Sequence, residues 1–298
     1  MTRLGIIKRV RRACFSLSFS GRFLILNRIM RNLFVNAKGR ITIHDFDGSM
    51  TIELNLAEHM QSRIFWVGYY SKSIVNYFNS YLQPGMTVID VGANIGETTL
   101  TAAKRVTSTG KVIAFEPVTK IYSILNDNLK RNRLHWVKPV KLGLSENAGS
   151  APIYTSSDQD INSLEHIGLG TLYPVEERQT LIETISLSSL DDYLRENPID
   201  RLDLIKIDIE GAEIPCLFGA QKTIRKFRPQ IILETQEETY MAAGYNPNSL
   251  MELFTQLDYE IFRLGNNGEL HSVSAKSLKN YQNILARPIK ERNWQLPN

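Results

Sequence analysis

The chain has 298 residues, 43% of them hydrophobic, with 18 glycines and 11 prolines; this ordinary globular composition excludes a collagenous or disordered protein. Two cysteines, Cys14 and Cys216, stand far apart, which excludes a disulfide framework or a cysteine metal site and suits a reducing, cytoplasmic setting. The net charge of +4 is unevenly shared: residues 1–40 hold ten basic and no acidic side chains, leaving 25 basic against 31 acidic residues, a net of −6, in the body. An enzyme of nucleic acids would be basic around its cleft, so this balance argues against DNA or RNA as substrate.

The first 35 residues have helical periodicity. Ile7, Val10, Cys14 and Leu17 form one stripe, and Phe23, Leu26, Met30 and Leu33 repeat its spacing. Lys8, Arg9, Arg11 and Arg12 fall on the other side of the first stripe. Such a basic amphipathic segment, residues 1–39, suits peripheral contact with an anionic membrane; the alternative is a helix packed on its own domain. The apolar run at 23–26 is too short for a signal peptide, which needs roughly 7–15 residues, or for a membrane span of about 20.

In "RITIHDFDGSMTIELNL", apolar and polar residues alternate around Asp47-Gly48, which predicts a β-hairpin. "SKSIVNYFNSYL" predicts a helix that ends before Pro84-Gly85, so residues 40–82 form a hairpin-and-helix unit ahead of a main domain at 83–298. Strand and helix then alternate. "TVIDV", "KVIAFEP" and "VKPVKLGL" are strands, the last suited to a sheet edge by its proline. Helices start near Thr98 and span "KIYSILNDNLKRN". Residues 156–178 form a long polar loop with His166 in it, of the kind that serves as a functional loop or lid. "TLIETISL" resumes a strand, "SSLDDYLREN" is a capped helix, and "RLDLIKIDIE" and "RPQIILETQ" are central strands. "YEIFRLG" and "YQNILARP" are late strands suited to antiparallel pairing. The sum is an α/β fold with a mostly parallel sheet and helices on both faces.

Ligands of such sheets bind outside the carboxyl ends of the strands. The first strand ends in "DVGANIG", the second at Glu116, the third leads to Ser145, and two later strands end at Asp208-Ile209-Glu210 and Glu234. A dinucleotide site has Gly-x-Gly-x-x-Gly for a pyrophosphate. Here Asn94 replaces the middle glycine, and Asp90 stands two residues before Gly92. An acid repels pyrophosphate and attracts an ammonium or sulfonium, and Glu116, twenty residues past Gly96, suits ribose hydroxyls. A cationic nucleoside without phosphate is S-adenosyl-L-methionine. An NAD(P)-dependent oxidoreductase is disfavoured on the same grounds.

"VIDVGANIGETTL", "AFEP", "ISLSSLDDYL", "LIKIDIEGAE" and "RPQIILE" follow in order, and residues 65–264 resemble the FkbM family of S-adenosylmethionine-dependent methyltransferases. The resemblance implies a class I methyltransferase, Rossmann-like fold with a seven-stranded sheet whose last strand is antiparallel. It implies an O-methyltransferase acting on a small molecule or a saccharide. Asp90, Gly92, Asn94 and Gly96 match the first cofactor motif, Glu116 the ribose acid, and Ser145, by position only, the adenine contact.

An alcohol acceptor must lose a proton, and Asp208, Glu210, Glu234 and His166 are the candidates to take it. Lys206, Asp208 and Glu210 alternate along one side of their strand. Glu210 could instead only cap the following helix, and Glu213 reads as a helix-surface acid. Asp208 and Glu234 could hold a divalent cation, but no third ligand stands out, and no metal is expected. Two other readings remain open: an N- or carboxyl-directed methyltransferase, and a catalytically silent cofactor-binding module in glycan assembly.

Overall fold

The computed structural model describes residues 3–16, 37–155, 170–173, 180–235, 237–245, 247–273 and 282–289. In chain order, α1 (Arg3–Ser16) precedes the hairpin β1 (Arg40–Phe46) and β2 (Met50–Asn55), then α2 (His59–Val67) and α3 (Lys72–Tyr81). The main alternation is β3 (Thr87–Val91), α4 (Glu97–Val106), β4 (Lys111–Phe115), α5 (Thr119–Arg131) and β5 (Val137–Val140). An excursion follows: β6 (Gly143–Leu144), β7 (Gly149–Thr155), β8 (Gly170–Thr171) and β9 (Leu181–Ser188). Then come α6 (Leu190–Glu196), β10 (Leu204–Ile207), α7 (Glu213–Phe218), α8 (Gln221–Phe227), β11 (Gln230–Thr235), α9 (Glu237–Ala242), α10 (Pro247–Gln256), β12 (Tyr259–Leu264), β13 (Leu270–Ser272) and β14 (Gln282–Pro288).

The main sheet runs β13-β12-β14-β11-β10-β3-β4-β5. β11, β10, β3, β4 and β5 are mutually parallel, and β14 is antiparallel to both neighbours, β11 and β12. Successive residues of the central strands pack into different cores. Val88, Val112, Leu204 and Ile232 join one with α4 and α5, while Ile89, Ile113, Ile205 and Ile231 join another with α6, α8 and α10. This period of two, apolar on both faces, is why these strands read as continuous apolar runs.

The sheet has eight strands where seven were expected. Gly268, at φ +86°, turns the chain so that Leu270–Ser272 pairs back on β12 as an extra edge strand. "VKPVKLGL" is two strands rather than one. Pro139 sits in edge strand β5, and after Lys141 and Leu142 the chain leaves for a second sheet of order β6-β9-β7-β8. β9 pairs antiparallel with β7 in that sheet and does not rejoin the main one.

The hairpin is sealed to α5 by side chains that serve the backbone edge of β2. Asn132 Oδ1 accepts from Thr51 N at 2.7 Å, and Asn128 Oδ1 from Glu53 N at 2.9 Å. Its buried Phe46, Ile52 and Leu54 share the core of Leu100 and Leu125. α1 turns Ile7 into this same core, as the stripe predicts. Arg11 departs from the expected basic outer face. It is 3% exposed, donates through Nε to Phe65 O at 2.7 Å and pairs through Nη1 with Asp45 at 2.5 Å.

Candidate active site

β3 is the point where the sheet order reverses: the chain moves outward through β4 and β5, then returns to β10 on the other side of β3. A crevice at the carboxyl ends of these strands follows from that topology. The cleft there is lined from β3, β4, β10 and β11 and from the second sheet.

One wall is the turn after β3. Gly92 has φ +74°, and a Cβ on it would lie 1.9 Å from the carbonyl oxygen of Asp208, so the position admits glycine alone. Asn94, at φ +50°, and Gly96, at φ +102°, complete the turn. Gly92 N and Ala93 N both donate to Phe115 O, at 3.0 and 2.9 Å. Asn94 N donates to Glu116 Oε2 at 3.0 Å, and Val118 N to Glu116 Oε1 at 3.0 Å. The end of β4 thus fixes the turn of β3. Burial pushes the Glu116 carboxyl up to about 7, against the pull of these two amides. Each of its oxygens keeps acceptor capacity beyond its one backbone bond.

The remaining cofactor candidates sit elsewhere. Asp90 does not border the cleft. It lies 1% exposed beneath the turn, where Oδ2 accepts from Thr98 Oγ1 at 2.9 Å and Thr99 Oγ1 at 2.6 Å. Gly96 lies behind the turn against Leu125. Ser145 also stands off the cleft, its N–H bonded to Ser188 O at 2.9 Å, while its neighbours Gly143 and Leu144 line the cavity.

The opposite wall is acidic. Parallel register pairs Ile207 with Leu233, so the next residues, Asp208 and Glu234, leave neighbouring strands side by side. Glu210 joins them by a route the alternation did not foresee. The strand ends at Ile207, and Glu210 stands in a turn at φ +50°, its carbonyl accepting from Thr171 Oγ1 at 2.8 Å. One oxygen from each of Asp208, Glu210 and Glu234 lies within 4.8 Å of the others. Glu210 thus supplies the third oxygen that the sequence did not show beside Asp208 and Glu234, and the Lys206 ammonium stands 3.4 Å from Asp208. Burial, and then the charges of Asp208 and Glu213, push Glu210 up to about 8. Glu213 is no surface acid. It is 2% exposed and accepts from Ile209 N and Gly211 N, both at 3.0 Å, so it satisfies the amides of the turn. Burial pushes it up to about 7. His166 lies outside the described residues.

Further lining residues escaped the sequence reading. Ile153, Leu172, Ile185 and Leu187, from the second sheet, form an apolar wall. Glu97, the first residue of α4, is buried and holds Tyr70 N at 2.6 Å and Ser71 N at 3.3 Å, which draws the α2–α3 connection over the cleft. Its place directly after Gly96 was a signal, since an acid opening a helix has amides within reach.

A doubly wound sheet, a glycine turn under its switch point and a buried acid at the end of the next strand define a nucleoside-cofactor transferase of the class I methyltransferase kind. The description "Methyltransferase FkbM domain" matches residues 90–264, and the chain belongs to this family. "Protein-L-isoaspartate(D-aspartate) O-methyltransferase" matches residues 24–151. The chain is 31% identical to "Methyltransferase sdnD" of Sordaria araneosa over 179 residues, 50% of this chain and 66% of that one. It is 28% identical to the "AMB antimetabolite synthetase AmbE" of Pseudomonas aeruginosa over 238 residues, 70% of this chain and 11% of that one. It thus spans less than two thirds of these relatives' lengths. The crystal structure of a methyltransferase FkbM from Methylobacillus flagellatus KT is 17% identical, with a TM-score of 0.43, covering 77% of this chain and 55% of that one.

Residues 90–264 are thus a methyltransferase domain, and the methyl donor of such a domain is S-adenosylmethionine. The residues present fit that molecule. Gly92 lines the cleft with bare backbone packed against the Asp208 carbonyl, Glu116 offers two acceptor oxygens for a ribose diol, and Pro117, Val118, Leu142 and Leu144 provide apolar surface for a base.

Proposed function

We propose that this methyltransferase acts on a hydroxyl of an uncharged small molecule or saccharide. The observation that carries the reading is the cluster of Asp208, Glu210 and Glu234 in the same cleft as Gly92 and Glu116. Bound S-adenosylmethionine supplies an activated methyl carbon, and the protein aligns the acceptor and takes its proton. Asp208, paired with Lys206, serves as the base. Glu210, held up to about 8 by burial, is protonated at neutral pH and donates to a second acceptor oxygen, while Glu234 orients the diol. Glu97, Glu116, Asp208, Glu210 and Glu234 line the cleft, and Lys206 is the one cation among its described lining residues, a balance that disfavours anionic acceptors.

The test is transfer of labelled methyl from S-adenosylmethionine to neutral saccharides and polyols, followed by alkali treatment of the product. Alkali-stable label is expected, as for an ether. Label released as methanol would mark a carboxyl-directed enzyme, and cofactor binding without transfer would mark a silent module.

We also place the enzyme in the cytoplasm at an anionic membrane surface. α1 keeps Lys8, Arg9 and Arg12 exposed while Ile7 faces the core. No described helix is long and apolar enough to cross a membrane.

A further inference from the structure

Lys206 lies in a central strand between β3 and β11, with its side chain 3% exposed. A lysine is almost never so buried unless paired. Its Nζ donates to Gly92 O at 2.9 Å and stands 3.4 Å from Val91 O, 3.4 Å from Asp90 Oδ1 and 3.4 Å from Asp208 Oδ2. Asp90 Oδ1 is buried and accepts no hydrogen bond from the described residues, so the ammonium is its counter-charge. Parallel register sets Lys206 directly beside Asp90. One ammonium therefore touches both the backbone of the turn after β3 and the cleft-lining carboxylate of Asp208.

We propose that Lys206 is a positioning residue for methyl transfer, fixing the turn at Gly92 and the carboxylate of Asp208 to one point and so setting the gap between donor carbon and acceptor oxygen. The proposal rests on the O-methyltransferase reading. In the step served, the carbon–sulfur bond breaks with its electron pair to sulfur, the carbon–oxygen bond forms, and the hydroxyl proton passes to Asp208. Lys206 keeps its proton throughout. The groups that face it are Asp90 from β3, Asp208 after β10, Glu234 from β11, and Glu97, Glu116 and Glu210 around the cleft. Burial pulls its pKa down, but Asp208, Asp90 and Glu234 outweigh burial and raise it. A misplacement of about 1 Å costs roughly 100-fold in rate.

The test compares wild type, Lys206→Met and the double variant Asp90→Asn/Lys206→Met. The single variant strands a buried carboxylate and can fail to fold; the double variant removes both charges and is expected to regain the wild-type melting temperature. It is expected to bind S-adenosylhomocysteine yet lose about 100-fold in kcat, with little change in the acceptor KM. Full recovery of turnover with the melting temperature would reduce Lys206 to a stabilising residue and overturn the proposal. Titration of the Glu210 carboxyl by 13C NMR needs no acceptor. Lys206 lowers the Glu210 pKa, so the double variant is expected to titrate above wild type, and an unmoved titration would also overturn the proposal. If wild type methylates no hydroxyl, the functional reading fails, and the titration still decides whether Lys206 is coupled to the acidic turn.

Discussion

Glu116 makes the cofactor reading quantitative. In the free protein its carboxyl titrates at about 7 because it is buried, 5% exposed, with a single backbone N–H on each oxygen. A ribose diol donating to both oxygens favours the ionised form, so the bound state has the lower pKa. The sign follows. Affinity is full above about 7, where Glu116 is already ionised, and falls as pH drops, because binding must then expel a proton. The fall is about tenfold per unit while the free form is protonated and the bound form is not, and so approaches 100-fold from pH 7 to pH 5. 5′-Methylthioadenosine is the right probe, since it carries the adenosine without the titrating amino acid. Calorimetry across pH 5–8 should show the slope. Glu116→Gln should weaken binding at pH 8 by about 10- to 100-fold, the worth of charge-assisted hydrogen bonds, and abolish most of the slope. Equal affinity at pH 5 and pH 8 for wild type, or an undiminished slope in the variant, would refute the assignment of Glu116 to the ribose.

Gly92→Ala should abolish measurable S-adenosylhomocysteine binding and lower the melting temperature by several degrees, because its Cβ would lie 1.9 Å from Asp208 O at a φ of +74°. Calorimetry and thermal melting check both. Thr171→Val keeps the shape but removes the bond to Glu210 O and the acceptor of Tyr173 N, so stability should fall by about 1–3 kcal/mol while kcat falls several-fold; a loss confined to stability would show that the acidic turn holds itself. Replacing Lys8, Arg9 and Arg12 by alanine should abolish sedimentation with anionic vesicles at unchanged melting temperature, since all three are exposed. Arg11→Ala should instead destabilise the fold by roughly 1–3 kcal/mol, through the lost Asp45 and Phe65 contacts.

Of the six cofactor candidates, the three that line the cleft were legible because their contacts are local, while Asp90, Gly96 and Ser145 lie off it. Gly92, Asn94 and Glu116 lie within one strand–helix–strand unit, and the bond from Asn94 N to Glu116 joins positions 22 apart in sequence. The apolar runs of β3, β4 and β10 identified central strands, and the strand-end rule then placed Asp208 and Glu234 together without any structure. What escaped depends on distant pairings. Glu213 looked like a surface acid because helical periodicity says nothing of the amides of Ile209 and Gly211, which a left-handed turn leaves to be satisfied. Arg11 looked like part of a solvated face because its partner, Asp45, is 34 positions away. β7 carried no readable alternation, since Ile153 is its one buried residue.

This difference between local and distant contacts bears on function. The second sheet inserts between β5 and α6, and its β6–β9 strands supply the apolar wall of the cleft, while β8 supplies Thr171, which grips the turn of Glu210. The wall at Gly92 and Glu116 is built from the chain's most regular segments, the apolar wall from its least regular ones. A change at Ile153, Leu172, Ile185 or Leu187 would therefore alter the apolar wall without touching Gly92, Asn94 or Glu116. If that insertion sets substrate choice, exchanging it for the corresponding segment of another family member should change the acceptor methylated while the affinity for 5′-methylthioadenosine and its pH slope stay as they were.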